Sequence, residues 1–280
     1  MTIVNTNIAE TINIGQNGTY DVARYTTANV NVSSVLTVQK AKDANGKVVS
    51  GNSVIDLDGA TDVGDYQLAY AYYGNTNITG ALDLSSLTSI SGAGACQNMF
   101  QNCTGITSVD LSNLTTISGY YGCGYMFQGC TGITSINLSS LTTISGSAGC
   151  NSMFYSCTGI TGAVDLSSLT TISGSADSMF SSCTGITSID LSSLTSLSRQ
   201  AACQNMFSGC TSLATVYIGG TTEIDFGTYT NQFNNMFRMC SQNIDVYAPA
   251  ASQAKIESFS GYPKFGAYGT VTWHWNTATE

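Results

Sequence analysis

Apolar and polar residues follow a pattern in this chain that returns about every 27 residues. A Met-Phe pair marks each return, and successive pairs are separated by 27, 27, 26, 27 and 30 residues. The phenylalanines of these pairs are Phe100, Phe127, Phe154, Phe180, Phe207 and Phe237. A nearly constant period in this range indicates stacked structural repeats, in which each unit packs mainly on its neighbours. We therefore predict a solenoid.

The first half of each repeat has the spacing of an amphipathic helix. Its apolar residues lie at i, i+3, i+4 and i+7, as in Cys96, Met99, Phe100 and Cys103. Gly105 follows two residues after the last cysteine, where helices commonly end at a residue with positive φ. The pattern predicts a helix of about two turns. Packing against neighbouring repeats must hold such a helix, because isolated short helices are unstable.

The second half of each repeat alternates with period two. Val109 and Leu111 flank Asp110, which predicts a strand with one buried face and one outward face. Eight strands of this kind would form a parallel sheet with a spacing of about 4.8 Å between strands. Their central residues are Asp56, Asp83, Asp110, Asn137, Asp165, Asp190, Tyr217 and Asp245.

The repeated motif Phe-x-x-Cys-x-x-Ile-x-x-Val-x-Leu resembles the leucine-rich repeats of BspA-type bacterial surface proteins. It is also similar to the Met-Phe-x-x-Cys and Leu-Asp-Leu-Ser repeats of bacterial surface lipoproteins. The resemblance covers residues 51–248. It implies an α/β repeat fold: a leucine-rich-repeat solenoid with a parallel β-sheet on one face and short helices on the other. It says little about function, because such repeats bind many kinds of partner.

Residues 1–34 form a separate predicted β module. Ile12 and Tyr20 belong to two alternating runs that flank Asn17-Gly18, a strong hairpin signal, and a third short strand is expected at Val30 and Val32. The string from Asn17 to Val32 resembles a segment of bacteriophage tail and fibre proteins. That resemblance implies attachment to a larger assembly, whereas the residues alone are equally compatible with a cap on the solenoid.

Two further segments flank the predicted repeats. Residues 35–50 read as a hairpin linker around Asn45-Gly46, with a second run at Lys47 to Val49. Residues 249–280 read as a cap of one short helix and a final strand. That ending resembles the closing segment of BspA-type arrays. In the first repeats tyrosines replace the Cys-Met-Phe set, as terminal repeats often diverge; these are Tyr66, Tyr70, Tyr72 and Tyr73.

The amino-acid composition argues against several classes of function. Charged residues make up 9% of the chain and the net charge is −9, which argues against nucleic acid as a partner because phosphate binding needs clustered Lys and Arg. No apolar run reaches the length of a membrane span. With His274 as its single histidine and no phosphate-binding glycine loop, the sequence offers no catalytic pair and no cofactor site. We expect a protein that is not an enzyme.

The ten cysteines all lie in the predicted repeats. Within one repeat the two cysteines are seven residues apart, about 10 Å along a helix and beyond disulfide reach. Their spacing does not match a zinc ribbon. We expect buried free thiols that act as small apolar side chains.

Two groups of side chains are candidate binding sites. The first is the outward column of the predicted sheet, for which calcium capture, simple solubility and a partner-binding surface all remain open; its residues are Asp83, Asp110, Asn137, Asp165, Asp190 and Tyr217. The second is an aromatic patch that is suited to sugar or protein, or else packs along an edge of the solenoid; its residues are Tyr120, Tyr121 and Tyr125.

Two functions fit these features. One is a bacteriophage virion protein, a tail-fibre or decoration component that recognises a host cell-surface protein or glycan. Residues 1–34 would contact other virion proteins, and a homo-oligomer is possible. The absence of a secretory signal at the start of the sequence and the free thiols favour this location, since virions assemble in a reducing cytoplasm. The alternative is a bacterial cell-surface adhesin of the BspA type.

Overall fold

The structure is a computed structural model of the chain. It describes the backbone of residues 11–13, 19–21, 37–42 and 48–56, and all atoms of residues 61–277.

The N-terminal strands form two antiparallel pairs. Strands β1 (Thr11–Asn13) and β2 (Thr19–Asp21) pair with Ile12 opposite Tyr20, as the predicted hairpin requires. Strand β3 (Thr37–Lys42) pairs with β4 (Val48–Asp56), which crosses the predicted boundary between linker and solenoid. The predicted third strand at Val30 and Val32 lies outside the described residues, and the proposed domain boundaries stay predictions.

Seven rungs of a parallel β-solenoid follow, as the repeats predict. Each rung contributes one strand to a front face, and a final strand follows the last rung. These strands are β5 (Gly80–Asp83), β7 (Ile106–Asp110), β9 (Ser135–Asn137), β11 (Thr161–Asp165), β13 (Gly185–Leu191), β14 (Thr215–Ile218), β15 (Ile244–Pro249) and β16 (Val271–Asn276).

The front face is not the single eight-stranded sheet that the alternation predicts. It consists of a three-stranded sheet, β5-β7-β9, and a five-stranded sheet, β11-β13-β14-β15-β16. The break falls between β9 and β11. The register also shifts in the β11–β13 pair, where Gly162 (φ +82°) pairs with Ile186 and Ala163 with Ser188, so that Thr187 of β13 is the extra residue. The predicted first strand, at Asp56, belongs to β4 and pairs antiparallel with β3 instead.

A second parallel sheet runs along the solenoid. Its two-residue strands are β6 (Ser89–Ile90), β8 (Thr116–Ile117), β10 (Thr143–Ile144) and β12 (Thr171–Ile172). The threonine hydroxyls one residue before these strands or at their edges add bonds between rungs, such as that from Thr115 Oγ1 to the Thr88 carbonyl at 2.9 Å. This second sheet was not predicted from the sequence.

The third side of each rung is a chain of turns, and the predicted helix there is wrong. We call this side the turn face; its segments are 66–74, 94–103, 121–130, 148–157, 174–183, 201–210 and 231–240. Alternate amides bond to different partners: Met99 N donates to the Cys96 carbonyl three residues back, whereas Cys96 N donates to the Gly122 carbonyl of the next rung. A helix would instead use its amides internally, at i−4.

The helix prediction failed because a period of 4 resembles a period of 3.6 over so short a segment. In the second rung every fourth residue has positive φ: Gly94 at 57°, Asn98 at 56° and Asn102 at 62°. Gly and Asn are the residues that adopt this region most easily. Their four-residue spacing at polar positions is the signal that distinguishes these turns from a helix.

Aromatic rings and thiols fill the space inside the three faces. The ring of Phe154 stacks on Phe127 and Phe180 with centroids 5.3 and 5.4 Å away. Tyr72 stacks on Phe100 in the same way and occupies the phenylalanine position of the first rung. All ten cysteines are buried in this core and free, and their burial is as predicted.

The C-terminal cap matches the predicted helix and strand. A 3-10 turn (Ala250–Ser252) leads into the helix α1 (Gln253–Glu257). Strand β16 then adds to the front sheet in parallel with β15. Trp273 and Trp275 stack with centroids 5.5 Å apart, and Trp273 Nε1 donates to the Pro263 carbonyl at 3.0 Å. The cap thereby covers the end of the core.

Candidate binding surfaces

The predicted acidic column does lie on the outward side of the front face. In the first sheet, register aligns Asp83 with Asp110, and Asp110 with Asn137. In the second sheet, register aligns Asp165 with Asp190. Their side chains are exposed or half-buried.

Each of these side chains has a local structural task. Asp110 Oδ1 accepts a hydrogen bond from the amide of Ser112 at 2.9 Å, and Asn137 Oδ1 accepts one from Ser139 at 3.2 Å. Asp83, Asp165 and Asp190 bond to the residue two positions ahead in the same way. These Asx turns end the strand. The sequence prediction did not include this local bond, which explains the recurring carboxylate.

The same bonds influence the acidity of two of the carboxyls. Hydrogen bonds from the side chain and the amide of Ser85 lower the pKa of Asp83, and those from Ser167 lower the pKa of Asp165. Within the part of the chain that the structure describes, no group of three or more His, Cys, Asp or Glu side chains is arranged to hold a metal ion. The binding role of the column stays a prediction.

The column continues in aromatic residues, which corrects the predicted position of the last strand. Register places Tyr217 beside Tyr247 rather than beside Asp245, and Tyr247 beside His274. Asp245 pairs with Thr215, two residues away from its predicted place. The prediction followed the pattern Ile244-Asp245-Val246, which resembles the strands of the earlier repeats. The register follows the distance from the core ring instead: Tyr247 lies ten residues after Phe237, as Tyr217 lies ten residues after Phe207.

These three aromatic residues form a stacked ladder. The ring centroids of Tyr217 and Tyr247 are 5.0 Å apart, and those of Tyr247 and His274 are 4.5 Å apart. His274 Nε2 lies 2.8 Å from Asp245 Oδ1 in a largely accessible pair. The sequence analysis did not predict this pair.

The predicted aromatic patch lies on the turn face of the third rung. Tyr120 meets Tyr121 edge to face with centroids 4.8 Å apart, and Tyr121 stacks on Tyr125 at 6.3 Å. Tyr120 is 55% exposed. Burial is the main cause that raises the pKa of Tyr125, and the nearby Tyr121, Asp177 and Tyr70 raise it further. The Tyr66 ring of the first rung lies beside Gly94, whose amide donates to the Tyr120 carbonyl at 2.7 Å. The patch therefore extends toward the first rung, which the sequence prediction did not include.

The tyrosines of the first rung are outward residues rather than replacements for the core set. Only Tyr72 is buried, while Tyr66, Tyr70 and Tyr73 are 44%, 42% and 45% exposed. The Tyr66 ring lies in the space beside Gly94 that a Cβ there would occupy. We name the six outward residues the tyrosine cluster; they are Tyr66, Tyr70, Tyr73, Tyr120, Tyr121 and Tyr125.

Four residues of the cluster have a backbone conformation that is unfavourable for tyrosine. Tyr66, Tyr70, Tyr121 and Tyr125 have φ between 51° and 58°. The left-handed region costs an L-residue about 1–2 kcal/mol, least for Gly and Asn. The same turn positions are occupied in other rungs by small or amide residues, namely Gly94, Asn98, Ala148, Ser152, Ser178, Ala201 and Asn205. Strain of this kind is often found at functional sites.

Among the described helices, none has the length and apolar character that would let it cross a membrane.

Comparison with known proteins places this architecture in a family. A profile of the BspA type leucine rich repeat region matches six copies, over residues 69–148, 97–236 and 151–261. Comparison with curated proteins gives no match. These comparisons do not show the bacteriophage resemblance of residues 1–34, which stays a prediction.

One matching solved structure is the Toll–Spätzle complex of Drosophila, described as a molecular hub in development and innate immunity. The identity is 16%, the TM-score is 0.28, and the match covers 77% of this chain and 34% of that chain. The chain thus spans about a third of that protein. With profile matches over more than half of its 280 residues, the chain belongs to the BspA type leucine-rich repeat family, whose repeats are typically non-enzymatic scaffolds for protein binding or adhesion.

Proposed function

We propose that this protein is a bacteriophage virion component, of the tail-fibre or decoration type, that presents its leucine-rich-repeat surface to the host cell. The observation that carries the proposal is the set of ten buried free thiols within a family of binding scaffolds. Proteins that act outside a cell commonly carry disulfides, whereas virion proteins assemble in a reducing cytoplasm. A core of reduced thiols fits assembly inside the cell followed by action outside it.

The two ends of the chain would then have different tasks. Residues 1–34 would attach to other virion proteins, because short strands such as β1 and β2 expose edges that another chain can extend. The solenoid would face outward and bind a host cell-surface protein or glycan. Its regular rungs supply two extended faces on a rigid support, the front face and the turn face. A homo-oligomer built through the N-terminal strands is part of the proposal.

The alternative is a bacterial cell-surface adhesin of the BspA type. The family itself favours this second function, since the resemblance that first identified the repeats is to bacterial surface proteins. Both functions use the same solenoid. They differ in whether the N-terminal module binds other virion proteins or anchors the protein at a bacterial surface.

Immunogold electron microscopy separates the two functions. An antibody raised against the solenoid is applied to purified virions and to intact bacteria that express the gene. Gold particles on tails or capsids support the virion proposal. Gold on the bacterial envelope, with unlabelled virions, would replace it with the adhesin. Label confined to the cell interior would contradict both.

A further inference from the structure

We propose that the tyrosine cluster on the turn face binds a neutral carbohydrate chain that lies across the first three rungs. The inference rests on the proposed function, since it gives the attachment surface a position and a ligand class. It places the contact on the turn face, away from the front sheet and its column of Asx turns.

The first argument is that the fold does not require tyrosine at these positions. Tyr121 and Tyr125 occupy turn positions that Ala148 and Ser152 fill in the next rung with nearly the same φ, 58° and 53°. Bulky residues are rare in the left-handed region. Tyr121 and Tyr125 are only half-buried, and the next rung closes with smaller residues at the same positions, so core packing does not explain the two rings. A contact outside the molecule does.

The second argument is that the rings are held in place while remaining accessible. Tyr66 rests beside Gly94, and Tyr121 rests beside Gly124, where a Cβ on the glycine would lie 2.7 Å from the ring. Tyr70 and Tyr73 support each other, with centroids 6.0 Å apart. Fixed rings lose little conformational entropy when a ligand stacks on them.

The charge around the cluster decides the kind of ligand. From residue 61 to residue 198 the sequence contains no Lys, Arg or His, so the first five rungs carry only negative charge. Asp177 lies near Tyr125 and contributes to its raised pKa. An acidic glycan, a phosphate polymer or a nucleic acid would be repelled there. A neutral ligand would not.

Polar groups beside the rings suit the hydroxyls of sugars. Gln101 Nε2 donates to Gln128 Oε1 at 2.7 Å on the same face, and Asn98 bonds to Gln101. Aromatic rings that adjoin amides offer stacking and hydrogen bonds together. The exposed large apolar side chains of the first five rungs are all tyrosines, each with a hydroxyl that can bond to a sugar. No exposed Met or Arg, which are also enriched in protein-binding patches, lies among them. Carbohydrate is therefore favoured over protein.

The spacing of the rungs also fits a chain of sugar rings. The core rings of Phe100 and Phe127, in neighbouring rungs, have centroids 5.4 Å apart, so equivalent side chains recur at short and regular intervals along the solenoid. A glycan that runs along the solenoid would thus present successive units to successive rungs. Tyr70 and Tyr125, two rungs apart, would contact units at matching intervals.

The test uses the full-length protein and a double variant with the residues of the next rung, Tyr121→Ala with Tyr125→Ser. The probe is an array of neutral hexose-based oligosaccharides and their sialylated and sulfated counterparts. We expect wild-type protein to bind neutral glycans, and the variant to bind them at least about tenfold more weakly because two stacking contacts are lost. The variant's unfolding midpoint should equal or exceed that of wild type. Tyr268→Ser, an exposed tyrosine outside the cluster, is the matched control and should bind as wild type does.

Several results would overturn the inference: binding to acidic glycans alone, absence of binding to every neutral glycan, or equal binding by the double variant. Binding of labelled protein to host bacteria separates this inference from the proposed function. If wild type and the double variant bind cells equally, attachment stands and the tyrosine cluster is not its site. If binding to cells is abolished by protease treatment of the cells and the array is blank, the partner is a protein.

Discussion

The thiol of Cys130 donates a hydrogen bond to the carbonyl oxygen of Phe100, one rung earlier, at 2.9 Å. Five other cysteines repeat this bond between rungs, at 2.9–3.2 Å over the whole set; they are Cys103, Cys157, Cys183, Cys210 and Cys240. A thiol is a weak donor, but here it is buried and meets a fixed backbone acceptor. The cysteines therefore link the rungs as hydrogen-bond donors without forming disulfides.

Thiol reactivity should follow from this burial. At pH 8 the native protein is expected to resist iodoacetamide, because burial raises the pKa of Cys103 to about 11 and that of Cys96 to about 12 and the thiolate is the reactive form. In denaturant without reductant, mass spectrometry should find all ten cysteines alkylated. Protected pairs in the denatured protein would mean disulfides and would move the protein to an oxidising compartment.

Alkaline pH should destabilise the fold steeply. Below about pH 8.5 the thiols are protonated in both the folded and the unfolded chain. Above that pH the unfolded chain loses thiol protons that the folded chain retains up to about pH 11, so the free energy of unfolding falls. The slope is up to about 1.4 kcal/mol per pH unit for each such thiol. Denaturant unfolding between pH 8 and 11 measures it, and Cys157→Ala should give a shallower slope. A flat profile would contradict thiol burial.

Truncation of core rings should have effects that depend on the rung. Phe154→Ala is expected to lower the free energy of unfolding by about 3–5 kcal/mol, because rungs on both sides prevent collapse of the cavity. Phe237→Ala should lower it less, since Phe237 stacks on one ladder neighbour, Phe207, with a wider centroid distance of 6.4 Å. Chemical denaturation of both variants provides the comparison. Equal losses would argue against a stack stabilised by nearest neighbours.

The repeating carboxylates should behave as turn residues. Asp110→Asn keeps the acceptor for Ser112 N, as Asn137 does in the next rung, and should change stability little. Asp110→Ala removes that acceptor and should cost about 1 kcal/mol, comparable with the loss of a helix N-cap. We also expect millimolar calcium to leave the melting temperature unchanged. A calcium-dependent rise that Asp110→Asn abolishes would restore the metal-binding interpretation.

The sequence predicted the solenoid because its period is set by the core. Phe100 and Phe127 must stack, so their spacing is visible as a repeat. The turn face was mistaken for a helix because the two conformations have similar periods, 4 and 3.6 residues, and both direct apolar side chains inward at that interval. The deciding feature, the positive φ of residues such as Asn98, depends on bonds to the next rung.

The second sheet and its glycine column were also missed. Gly119 lies so near the carbonyl oxygen of Gly92 that a Cβ there would overlap it, and Gly146 has the same relationship to Gly119. From sequence these glycines look like ends of repeats, because close approach between rungs is a property of the assembled stack. The tyrosine cluster was missed for the same reason, because its members meet only in the assembled stack. Tyr120, Tyr121 and Tyr125 are adjacent in sequence, whereas Tyr66 and Tyr70 join them only once the rungs are stacked.

The division of labour between the N-terminal module and the solenoid is the central claim about function. Co-sedimentation with virions of full-length protein and of a chain that begins at Thr37 tests it most directly, with light scattering to report assembly. Such a chain lacks residues 1–34 but keeps the β3–β4 pair and every rung. We predict that it remains folded, because the rungs contain their own core, and that it fails to sediment with the particle. Sedimentation equal to that of the full-length protein would contradict the claim and assign the contact to the solenoid itself.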